Sequence, residues 1–98
     1  MELLWLPRAR SQQHDAIEYI ARDNPIAALG QLDQIEHQTD MLLRQPNLGR
    51  PGRMKGTREL VIGRTPFIVV YRVRPRAARI EVLHLLHGSQ QWPPKGAR

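Results

Sequence analysis

The sequence predicts an α+β domain of order β-α-α-β-β-β, a helical hairpin packed on a mainly antiparallel sheet. Three observations predict it. The first half carries apolar residues at helical spacing, interrupted once at Asn24-Pro25. The second half breaks into three β-branched runs joined by short polar turns. A Gly/Pro-rich stretch separates the two. Ninety-eight residues are read as one domain spanning 1–98, since domains commonly hold ~100–150 residues. A chain this short buries only about two-thirds of its unfolded surface, which leaves a thin core and room for an obligate partner.

Taken in order, residues 2–6 form a short apolar segment ended by Pro7 and read as a strand. Over 9–23, Ala9, Ala16, Ile17, Ile20 and Ala21 fall on one helical face. Asn24 is a good N-cap and Pro25 suits the first helical position, so a second helix is expected over 25–44. Its Ala28, Leu32, Ile35, Thr39 and Leu42 recur at 4-3-4-3 spacing and make one stripe. With almost no loop between them, the helices should pair antiparallel. Residues 45–56, QPNLGRPGRMKG, read as a loop carrying Arg50, Arg53 and Lys55 beside Arg44, with no acid. Strands are expected over 57–62, 67–73 and 80–86, giving a sheet of three or four strands with turns at 63–66 and 74–79.

Charge divides the chain. The net charge is +6, yet residues 1–40 hold three Arg against seven acids, while residues 41–98 hold twelve Lys/Arg against Glu59 and Glu81 alone. Thirteen of the fifteen basic residues are Arg, whose planar fork binds carboxylates and phosphates bidentately. A GC-rich genome would explain some of that excess but not the asymmetry. The basic half therefore reads as a surface for nucleic acid, a protein on DNA, or an acidic peptide. The chain lacks cysteine, which removes disulfides and thiolate chemistry and fits a reducing cytoplasm. Leu3-Leu4-Trp5-Leu6 is too short for a signal-peptide core, and no run approaches the ~20 apolar residues of a membrane span. Loop 49–56 lacks the Gly-Lys-Ser/Thr ending of a phosphate loop. No metal-ligand spacing and no cofactor fingerprint is present, so neither a metal nor a cofactor is expected.

The ordered set GRPGRMKGTRELVI, FIVVYRV and IEVLHLLHGSQQWP, with Trp5, YIARDNPIAA and the Pro-x-x-Gly-Arg loop, resembles the ParE/RelE superfamily of type II toxin–antitoxin toxins. The resemblance covers nearly the whole chain. It implies the RelE/ParE-like fold and a small toxin, of the kind that stabilises plasmids, which arrests growth. It also implies a cognate antitoxin, ParD/RelB-like, whose acidic-hydrophobic segment wraps the hairpin and sheet; operator DNA would be reached only through that antitoxin. The RelE branch cuts mRNA on the ribosome and the ParE branch blocks DNA gyrase. Where RelE-type nucleases place two lysines in the second strand, this chain has Glu59 and Val61. Their arginine ahead of "VY" falls on Ile68, their later arginine on Ser89 and their C-terminal tyrosine on Lys95. RNA cleavage needs a proton acceptor, a proton donor and a cation at the phosphate, which Val61 and Ile68 cannot supply. The resemblance therefore favours the ParE branch, a non-catalytic gyrase inhibitor.

The competing class is a ribosome-dependent endoribonuclease using His87 with Arg58. A third is a toxin fold without a target. On a regular strand His84 and His87, three apart, face opposite sides. His84, aligned with Ile80, Val82 and Leu86, reads as a half-buried strand residue. His87 before Gly88 reads first as a strand-end imidazole bonded to nearby backbone and second as an acid or base. His14 and His37 lie among polar residues of the helices and read as surface. Arg58 alternates with Leu60 and Ile62, so its stem should pack while its head pairs or reaches a partner. Arg50, Arg53, Lys55, Arg72 and Arg74, with Arg76 and Arg79, read as a partner-facing patch, a solvated charge run being the plain alternative. Trp92 reads first as a plug over the sheet and second as a partner contact.

Overall fold

Pro7 fixes where the first helix begins, because its missing N–H costs nothing at that position. The structure, a computed structural model, describes residues 1–95. Strand β1 (Glu2–Trp5) leads into helix α1 (Pro7–Asp23), then α2 (Pro25–Asp40) and a 3-10 turn over Met41–Leu43. Four more strands follow among the described residues: β2 (Arg50–Pro51), β3 (Arg58–Val61), β4 (Phe67–Arg74) and β5 (Arg79–His87). Asn24 ends α1 and caps α2 at once, its Oδ1 accepting the Ala27 N–H at 3.1 Å. The two Asn-Pro functions meet in one residue pair, so the hairpin needs no further loop.

The strands order β1-β5-β4-β3-β2. β1 runs parallel to β5 and every other pairing is antiparallel. The sheet has five strands rather than three or four, because the 45–56 stretch is not all loop: Arg50 pairs with Glu59 and Pro51 with Arg58. The helices cover one face. Ala9, Ile35, Leu42, Ile62, Tyr71 and Val82 are the centre of that core. Arg10 staples the helices to each other, donating to Gln13 and Glu36 at 2.8 Å each, with its guanidinium 4.6 Å over the Trp5 ring. Gln38 on α2 bonds both the N–H and the carbonyl of Gly63, which pins the β3–β4 turn beneath the helix.

Register on β5 shifts between Val70 and Tyr71 of its partner. Tyr71 faces Val82 and Val70 faces His84, so Leu83 is the extra residue of a bulge. This corrects the expected alignment of His84 with Ile80 and Val82. Those two point into the helical core, while His84 shares the open face with Leu86. Beyond the end of β1, the Leu85 N–H would lack a strand partner. Gln12 of α1 supplies it, its Oε1 accepting at 3.0 Å.

The Tyr71 hydroxyl ties the 45–56 stretch down. It donates to the Pro46 carbonyl at 2.7 Å and accepts the Gly49 N–H at 2.9 Å. Gly49 is required there, because an added Cβ would stand 2.8 Å from both the Glu59 carbonyl oxygen and the Tyr71 ring. Burial raises the Tyr71 pKa, partly offset by the Gly49 hydrogen bond and the Arg58 charge, so the phenol stays protonated to donate. Tyr71→Phe leaves the buried Gly49 N–H and the half-buried Pro46 carbonyl without this partner. Urea denaturation of this variant should show a loss of about 1–3 kcal/mol, whereas a loop held only by backbone packing would show none.

Candidate functional site

On the open face of the sheet, away from the helices, two glutamates are buried and each is held by arginines. Glu59 on β3 has a fully covered side chain and takes the Arg53 backbone N–H at 2.8 Å and its guanidinium at 2.9 Å, with Arg50 at 3.5 Å. Glu81 on β5 takes Arg72 Nε at 2.6 Å, Arg79 Nε at 2.8 Å and Arg74 Nη1 at 3.7 Å. Strand pairing explains the second cluster. Arg72 lies opposite Glu81 and Arg74 opposite Arg79, so alternation sends all four side chains to one face. The first cluster depends on the turn that folds Arg53 back six residues onto Glu59.

These contacts fix both protonation states. Burial acts to raise the Glu59 pKa, and the Arg53 hydrogen bonds with the charges of Arg53 and Arg50 outweigh it, leaving the carboxyl below its usual value. Glu81 is lowered first by its hydrogen bond from Arg72, against burial, and then by the charges of Arg72 and Arg79. Both are ionised acceptors rather than proton donors at neutral pH.

Of the residues expected to face a partner, Arg50, Arg53, Arg72 and Arg74 converge on this face around the two carboxylates, and Lys55 is exposed on the adjoining turn. Arg53 is held by the covered Glu59 carboxylate while its own side chain stays 44% exposed. Arg58 leaves the cluster: its stem lies with Leu60 on the other face and its Nη1 donates to the Gly49 carbonyl at 2.8 Å. The sequence pattern pointed to cations and passed over what organises them. The signal was available, since Glu59 and Glu81 are the only acids after residue 40. Tyr71 and Gly49, which hold the loop in place, had no local signature.

His87 and Arg58 do not form one site. Arg58 lies opposite Tyr71 and His87 opposite Phe67, on different sides of β4 and four residues apart along it, about 13 Å at strand rise. The His87 Nδ1 faces Ser89, whose backbone N–H donates to it at 3.1 Å and whose Oγ lies at 2.7 Å, while the Gly88 N–H donates to Pro66 at 2.7 Å. His87 therefore closes the strand end through backbone bonds. Its ring stands edge-on to Phe67 at 5.9 Å. His84 packs against Trp92 at 4.7 Å, with Gln12 Nε2 3.4 Å from its Nδ1. Burial, then the Arg8 charge, lowers its pKa. Trp92 covers Ile68, Val70 and Leu86, toward the opposite end of the face from Arg74. Val61 is 55% exposed beside them. At the positions where RelE-type nucleases carry cations, the open face thus presents a buried Glu59, Val61 and Ile68. Among the described residues no group of three or more His, Cys, Asp or Glu could hold a metal ion. Nor is any helix among them long and apolar enough to cross a membrane.

Depressed carboxyl pKa values set the sign of an acid response. The stability that Glu59 and Glu81 contribute is fully present above about pH 4.5, their unshifted value, and is lost as pH falls through their lower folded values. Glu59→Gln should cost about 1–3 kcal/mol at pH 7 and flatten the fall in stability below pH 4.5. Chemical denaturation at a series of pH values measures both; an unchanged acid limb would mean the pair is incidental.

Comparison with known proteins matches this geometry to a family. The profile described as ParE toxin of type II toxin–antitoxin system, parDE, matches residues 3–92. The candidate toxin Y4kP of Sinorhizobium fredii is 39% identical over 89 residues, covering 91% of this chain and 90% of its own. A solved structure described as a chromosomal ParDE TA system from P. aeruginosa superposes with a TM-score of 0.79 at 26% identity, over 89% of this chain and 95% of that one.

Proposed function

The chain belongs to the ParE toxin family of type II toxin–antitoxin systems, and from that premise we propose that it arrests growth by binding and poisoning DNA gyrase. Residues 1–98 act as one toxin domain in the cytoplasm, and a cognate antitoxin encoded beside it holds it inactive. The observation that carries the gyrase reading is the open face. It gathers arginines on buried, ionised glutamates, and its imidazole, His84, is packed against Trp92 away from those arginines, which suits docking rather than cleavage. His87, the residue a nuclease would use, is bonded to Ser89 and stands apart from Arg58.

An antitoxin partner is supported by the relative from a ParDE system and by apolar side chains left uncovered on the hairpin. Tyr19, Ile26 and Leu29 are 71%, 83% and 67% exposed. A monomer keeps such groups in water at a cost, and an acidic-hydrophobic segment laid over α1 and α2 would bury them.

Purified protein separates the classes. Gyrase supercoiling should be inhibited with transcripts intact, and His87→Ala should inhibit equally well. Ribosome-dependent mRNA cuts that disappear in His87→Ala would overturn the reading, and inhibition of neither process would leave a toxin fold without a target. For the antitoxin, Leu29→Glu should weaken the complex tenfold or more, since burying a leucine is worth about 1.5–3 kcal/mol. Titration calorimetry against the product of the adjacent reading frame measures it; unchanged affinity would place the antitoxin elsewhere.

A further inference from the structure

We infer that the basic end of the sheet is a docking site for the phosphodiester backbone of duplex DNA, held by this chain directly and without regard to sequence. The inference deepens the gyrase reading, because it names DNA as part of what this surface touches. It rests on how the topology distributes charge. The β2–β3 turn, the β4–β5 hairpin and the start of β1 all lie at one end of the sheet, since Arg58 pairs with Tyr71, Arg74 with Arg79 and Glu2 with Arg79. That end collects Arg50, Arg53, Lys55, Arg72, Arg74, Arg76 and Arg79 against Glu2, Glu59 and Glu81. The helical layer holds six of the nine acids, Asp15, Glu18, Asp23, Asp33, Glu36 and Asp40. A polyanion is thus repelled by one layer and drawn to the other, which orients its approach.

The donors suit phosphate. Arg72 and Arg79 spend Nε on Glu81, and among the described residues their terminal nitrogens make no hydrogen bond. Arg76 sits exposed in the hairpin turn with no ion pair among the described residues. Guanidinium groups with an anchored Nε and open Nη edges present the planar fork that phosphate oxygens accept. Duplex is favoured over single strands because single-strand binding uses exposed aromatic rings for base stacking. Tyr71, the aromatic residue of this end, is buried with its hydroxyl spent on Pro46. The contact carries no sequence information, so it is distinct from operator recognition, which the family resemblance assigns to the antitoxin.

The test is fluorescence anisotropy of the purified full chain with a labelled duplex of random sequence, without gyrase. Contact with about four phosphates gives a slope of log affinity against log salt of about −3.6, at about 0.9 per phosphate. Arg74→Ala and Arg76→Ala should each make the slope shallower by about 1, while Arg22→Ala on the helical layer changes nothing. Thermal melts of each variant confirm folding, and Arg76, exposed and without an ion pair among the described residues, keeps the test valid if Arg74→Ala destabilises. No duplex binding at low salt would overturn the inference. So would binding indifferent to the sheet-end variants, tighter binding to a single strand, or displacement by polyglutamate at equal charge concentration, which would assign this end to an acidic protein surface. Supercoiling assays run alongside keep the two readings apart. Duplex binding without gyrase inhibition sinks the gyrase reading alone, and gyrase inhibition without duplex binding sinks this one alone.

Discussion

Arginines crowded at one end of a small sheet repel each other, and the two glutamates buried beneath them make that crowding tolerable. Like charges 4 Å apart repel by about 1 kcal/mol even in bulk water and by more near a protein surface. Glu59 and Glu81 set an opposite charge within 4 Å of five guanidinium groups, three of which they hydrogen-bond. A charged carboxylate covered this fully would be costly unless paired and hydrogen-bonded, so the glutamates and arginines require each other. The pairing also restrains long side chains in advance. An arginine already held through Nε has less rotamer freedom to lose on docking, which favours affinity.

That arrangement depends on a sheet with helices on one face only. The covered face builds the core around Ile35, Ile62 and Tyr71. The uncovered face is left to charged pairs at one end and to Trp92 over Ile68, Val70 and Leu86 at the other. On this face the arginines sit toward the rim, on β2 and its turn and around the β4–β5 turn. Apolar side chains fill the middle.

Much of the fold was legible because its signals are local. The helical stripe of α2, the Asn24-Pro25 junction and the β-branched runs of β4 and β5 each announce themselves within a dozen residues. What escaped is non-local. β2 exists because Arg50 meets Glu59 across the sheet, and Arg53 is fixed by a carboxylate six residues on. The 45–56 stretch looked like loop because its two strongest constraints, Tyr71 and Gly49, are 22 residues apart. The bulge at Leu83 moved His84 to the face opposite Val82, which strict alternation does not foresee. For the site, composition identified the cations and their sign; only pairing registers showed which of them share a face, and that Arg58 is not among them.

The borders of the sheet bear on solubility. A strand edge with open N–H and C=O groups templates further strands, and a cationic, β-rich chain with exposed apolar residues would be prone to grow that way. Here one border is a two-residue strand ending in Pro51, which has no N–H to offer. On the other, the Gln12 amide occupies the Leu85 donor where β1 has already stopped. A glutamine on a helix thereby limits edge-to-edge stacking, and steers any associating segment across a face instead of along a rim.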